Sequence, residues 1–136
     1  MMNLLLLSAV GGIIGLAIGS LWYGKLLFGH AWMAETGITE EDAKASNPLV
    51  MFGIAFVITA YLTFRMKWIH HEDESLAPFV HGMFHGVMHV GVYAIGALIV
   101  NALFELKTIK YILINAGYWV TVFALIGGVI AIFPIK

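Results

Sequence analysis

The chain has 136 residues, 61% of them hydrophobic and 11% charged, with a net charge of −1 and no cysteine. A soluble domain of this size has too little interior to hide that much apolar surface, so lipid must be the solvent for much of it. The charge balance argues against nucleic acid as a partner, and the absence of Cys excludes disulfides, thiolate catalysis and iron–sulfur clusters.

The first apolar run, residues 3–23, is long enough to cross ~30 Å of hydrocarbon. No basic residue precedes Lys25, so the run reads as a retained transmembrane helix and not as a cleaved signal. Gly11, Gly15 and Gly19 repeat at small-xxx-small spacing along it. Such a ridge permits close helix approach, either within the fold or between two copies of the chain. Gly82 and Gly86 form a second pair of this kind in the third run.

Residues 21–33 are rich in Trp, Tyr, Leu and Phe around a single Lys, too apolar for a free loop and too short to span. This composition suits a segment lying in the membrane interface. Thr39 then reads as a helix N-cap, followed by Glu40, Glu41 and Asp42 in the first turn of a short polar helix ending near Ser46. Asn47 and Pro48 give a second cap with Pro at the first helical position, opening a span to about residue 68. Ile69 to Ala77 is a tight connection. The third span runs over 78–104 and the fourth over 109–133. The predicted fold is all-α: a single domain forming an integral membrane four-helix bundle, with an interfacial segment and a short helix between the first and second spans. Arg65, Lys67 and Lys136 fall at one face and Lys25, Lys44, Lys107 and Lys110 at the other, which sets no orientation.

The third span carries the most unusual pattern. Its polar side chains, His81, His85, His89, Tyr93, Asn101 and Glu105, share one i, i+4 register that only Ala97 interrupts. Four residues turn 400° on an α-helix, so the register drifts by about 40° per step. The stripe therefore divides into a histidine ladder near one face and an Asn101/Glu105 pair near the other. An HxxxH pair suits Zn, Cu or Fe, and His70 and His71 in the preceding connection are further candidate ligands. Imidazoles in series also suit proton binding or relay. The structural alternative is hydrogen bonding across helices to Thr59, Tyr61 or Thr63. Haem is the weakest cofactor reading, because no other span offers a second axial His and the partner would come from another subunit.

No Ser–His–Asp arrangement, Gly-x-Ser-x-Gly elbow or phosphate loop is present, so an enzyme is not expected. A small exporter working as an oligomer is a rival, although the first span lacks the membrane-embedded carboxylate it would need.

Trp22-Tyr23, Leu27-Phe28-Gly29 with Trp32-Met33, the Thr39-Glu40-Glu41 helix, Phe104-Glu105 and Leu113-Ile114-Asn115-Ala116-Gly117-Tyr118 occur in a fairly specific order and spacing. In these pieces the chain resembles a bacterial family known as domain of unknown function 1761. The resemblance implies a small four-span protein of the bacterial inner membrane and implies no activity. It leads one to expect a mainly apolar, Thr-containing third span, so His81, His85 and His89 depart from the pattern. The family-like pieces all fall at one membrane face. There Asn101, Glu105, Asn115, Tyr118, Trp22 and Trp32 are expected to form a polar cluster, either a latch that ties the interfacial segment to the helix ends or a binding site. The expected function is a non-catalytic binding or accessory subunit, with a small-solute or ion transporter and a purely structural subunit as alternatives. The bilayer is its first partner, and a homo-oligomer or a larger membrane complex its protein context.

Overall fold

The computed structural model describes residues 3–66 and 77–133. Seven α-helices follow in order: α1 (Leu4–Trp22), α2 (Gly29–Thr36), α3 (Glu40–Ala45), α4 (Pro48–Arg65), α5 (Pro78–Gly86), α6 (Val92–Phe104) and α7 (Ile109–Ile132). A π turn, Val87–Gly91, joins α5 to α6 and makes them one continuous span. Four helices, α1, α4, α5–α6 and α7, are long and apolar enough to cross a membrane.

The helix starts are set by local side chains. Asn3, Asn47 and Thr108 each accept a hydrogen bond from a first-turn amide of α1, α4 and α7. Thr39 and Asp42 close a reciprocal capping box on α3. Gly37, at φ 72°, ends α2 in the left-handed conformation that glycine adopts without a Cβ penalty. Leu106 takes a similar conformation, at φ 54°, in the reversal between α6 and α7. The amide of Lys107 bonds there to the carbonyl of Ala102, which closes the end of α6.

The spans assemble as two helix pairs. α1 packs along α4, and α5 packs along α7; α1 and α6 also touch α7. The core lies between the pairs, with Leu7, Met66, Val122, Phe123, Ile126 and Ile130 buried together. Both pairs rest on glycine. A Cβ on Gly11 or Gly15 would run into the side chains of Thr63 and Thr59 on α4. A Cβ on Gly82 would stand 2.2 Å from the carbonyl oxygen of Gly127, and one on Gly86 2.2 Å from that of Phe123. The ridge on α1 thus serves packing inside the chain, and Gly19 faces the Tyr118 hydroxyl of α7. On α4 only Thr59 and Thr63 are buried. Much of its remaining surface, including Leu49, Val57 and Tyr61, is exposed, as a lipid-facing helix requires.

Where the neighbour is backbone, the added methyl has no side chain to displace. Gly82→Ala is expected to cost about 1–3 kcal/mol by overpacking. Gly53→Ala and Gly96→Ala, which meet open space, should leave stability unchanged or raise it by less than about 1 kcal/mol through helix propensity. Detergent-titrated unfolding followed by circular dichroism measures all three.

Candidate functional site

The histidine ladder forms as a physical column. The ring centroids of His81 and His85 are 4.3 Å apart, and those of His85 and His89 are 5.0 Å apart with planes inclined by 14°. His85 Nδ1 and His89 Nε2 are 2.9 Å apart and share a hydrogen bond. The π turn accounts for the alignment. Successive α-helical i, i+4 steps would swing His89 away from His85 by about 40°. The wider π turn takes more residues per revolution and removes that excess. The inserted residue also changes the far end of the stripe. Asn101 stands about 100° from His81 around the helix, where an uninterrupted α-helix would place it about 200° away.

Burial falls along the column. His81 is 7% exposed, His85 is half-buried, and His89 is exposed. His89 lies eleven residues into a 27-residue apolar span, about 16 Å from its start, so the exposed end sits near the middle of that span. Thr59 and Thr63 face the glycines of α1, and Tyr61 is exposed. His70 and His71 lie outside the described residues. Among the described residues no group of three or more His, Asp or Glu side chains is arranged to hold a metal ion. The pair bond occupies one nitrogen of His85 and one of His89.

At the opposite face a second polar arrangement ties α1 to α7. The Trp22 indole donates to the carbonyl of Ile114 (2.9 Å), and the Tyr23 hydroxyl donates to Asn115 Oδ1 (2.8 Å). Asn115 Nδ2 donates in turn to the Tyr111 carbonyl, and the Tyr118 hydroxyl to the carbonyl of Gly15. Trp32 from α2 meets the edge of Tyr23. The cluster therefore joins Trp22, Trp32, Asn115 and Tyr118. Asn101 and Glu105 do not enter it: both are exposed on the end of α6, and neither side chain bonds to the cluster among the described residues. The two share the stripe's spacing, but their side of the helix is turned away from α7.

Two members were missed from sequence. Tyr23 is central, and burial pushes its hydroxyl above the ordinary tyrosine range, with Tyr118 and Tyr111 adding to the effect. It stays neutral and keeps its donor. Glu35 on α2 accepts from the Thr108 hydroxyl and pairs with Lys110 at 3.3 Å, fastening α2 to the start of α7. The Thr108 bond, followed by Lys110, holds its carboxyl below the usual carboxylate value. The only sequence signal for Glu35 was a carboxylate one turn beyond Trp32 on an interfacial helix.

Tyr23→Phe is expected to cost about 1–2 kcal/mol, because Asn115 Oδ1 loses its donor while buried. Asn115→Leu should cost a similar amount, and the double variant less than the sum, since neither group is then left unpaired. Thermal unfolding of the four proteins gives the cycle. Glu35 supplies a pH dependence of definite sign. Its folded pKa is depressed, so its contribution is complete above the unfolded carboxylate value and is lost as pH falls through the folded one. The unfolding midpoint should drop across that acid window in the wild type, and Glu35→Gln should remove this component.

No curated protein and no solved structure matches the chain. One family model does, over residues 6–131, a stretch that holds all four spans, the ladder and the interfacial cluster save the first residues of α1 and the last of α7. The chain belongs to this family, described as protein of unknown function (DUF1761).

Proposed function

We propose that this protein is a non-catalytic subunit of the bacterial inner membrane that binds and relays protons through His81, His85 and His89. The observation that carries the reading is the 2.9 Å bond between His85 Nδ1 and His89 Nε2 near the middle of the third apolar span. A neutral imidazole has one N–H and one lone pair, so one ring of the pair donates and the other accepts. Once a proton taken from one side makes one ring an imidazolium, moving the shared proton across the bond leaves that ring neutral and charges its neighbour, which then releases its other proton onward without water entering the bilayer. If both rings are charged no acceptor remains, and the pair must part. Ionisable groups at this depth are costly and commonly mark ion or proton paths. The stacked column with His81 extends the pair toward the nearer membrane face.

A small-ion transporter formed by several copies is the second reading. The exposure of His89 in the hydrocarbon favours it, because a neighbouring copy would shield that ring.

Nitrogen-15 NMR on histidine-labelled protein tests the main proposal. A coupling between the nitrogens of two imidazoles is expected, absent in His89→Leu, with protonation of both rings at low pH abolishing it. Liposomes holding the protein should dissipate a pH gradient faster than empty ones, and His85→Leu should return the rate to the empty level with the fold intact. Uncoupled rings and an unchanged leak would overturn the proposal. Stoichiometric zinc, copper or iron that leaves with His85→Leu would replace it with a metal site.

A further inference from the structure

α4 packs chiefly on α1, and between α1, α4 and α7 lies a cavity of about 890 Å³. This is within the usual range for small-molecule sites. None of its lining side chains is charged. It extends from Trp32 and Tyr23 to Thr59 and Trp119, about 12 Å along α1 and α4.

The polar atoms of the lining are not equivalent. Ser20, Tyr23 and Tyr118 spend their hydroxyl hydrogens on Leu16, Asn115 and Gly15. Thr59 does not: it is 4% exposed, and its hydroxyl meets no acceptor among the described residues. No fully enclosed side-chain oxygen or nitrogen there lacks a partner, so the Thr59 oxygen opens onto the cavity it borders. The indole N–H groups of Trp32 and Trp119, also in the lining, likewise donate to no described residue.

The geometry points to a binding site, separate from the histidine ladder, for an uncharged, lipid-soluble ring compound carrying carbonyl oxygens, of the quinone type. The absence of charge excludes an ionic head. Unspent donors require an acceptor on the ligand, and a buried hydroxyl without one is costly. The aromatic side chains in the lining, Trp32, Tyr118 and Trp119, suit contact with a planar ring. A phospholipid acyl chain would fill the apolar volume but leave the Thr59 hydroxyl unpaired. Its ester carbonyls sit at the interface, not at the depth of Thr59.

The test is titration of the protein, in detergent and in lipid nanodiscs, with decyl-substituted benzoquinone, read by tryptophan quenching. Saturable quenching is expected above the linear part due to partition. Thr59→Val should weaken it about five- to tenfold, the loss of one hydrogen bond, and Thr59→Ser should restore it. Ala55→Phe adds a ring from an exposed position on the cavity wall and should abolish the saturable part. Strictly linear quenching would overturn the site, as would an affinity indifferent to both Thr59→Val and Ala55→Phe. So would native mass spectrometry showing a bound phospholipid that the quinone does not displace.

Discussion

The structure depends on the contact between the backbones of α5 and α7. Lipid offers no hydrophobic force between helices, so association relies on dense packing and on what backbones can reach. Gly82, Gly86 and Gly127 remove side chains from the crossing, and each glycine lies against a carbonyl or backbone carbon of the other helix. That seam positions everything else on the third span. The glycines and the histidines alternate along α5, so fixing the glycine face against α7 also fixes the direction in which the imidazoles project. The ladder is in this sense a consequence of the seam.

The α1–α4 pair uses a different version of the same constraint. Here glycine meets threonine, and Thr63 satisfies its hydroxyl on the carbonyl of Thr59 one turn earlier. Such back-bonding hides a polar group in lipid without a partner helix. It also concentrates the contact on one stripe of α4. Much of the rest of that helix is exposed, although Leu62 packs on the core and Phe56 on Gly12, and a cavity opens between α4, α1 and α7. A helix held mainly by one stripe leaves more open space beside it than one packed on two sides, in keeping with the cavity beside α4.

Much of the fold was legible because its signals are local. Asn47-Pro48, Thr39 with Asp42, and Thr108 act within one helical turn, and the apolar runs fix the spans by length alone. The histidine column was legible for the same reason: i, i+4 spacing is a property of one helix. What escaped required knowledge of another helix or of a deviation from ideal geometry. The π turn leaves no clear mark in Val87–Gly91, yet it decides that His89 stacks on His85 and shifts Asn101 around the axis. Asn101 and Glu105 shared the polar spacing, but periodicity does not say whether a polar stripe near an interface meets protein or headgroups. Tyr23 looked like one more belt aromatic, and its bond to Asn115 spans 92 positions in sequence. Glu35 and Thr108 are separated by 73. No single-helix argument connects such pairs.

The two ends of the molecule follow different physical logic. Around Trp22, Tyr23, Asn115 and Tyr118 nearly every donor finds a protein acceptor, and α2 is fastened by an ion pair, so this end is rigid by satisfaction of its polar groups. The ladder and the cavity behave otherwise. His89 is exposed at depth, and Thr59, Trp32 and Trp119 keep donors that no described residue accepts. In a bilayer, where water does not supply the missing partner, an unsatisfied polar group is a standing cost that packing elsewhere must offset. A chain that satisfies its interface so fully has no structural need to leave these groups open. That openness is the observation on which both proposals rest, a proton at the column and an acceptor-bearing molecule between α1, α4 and α7.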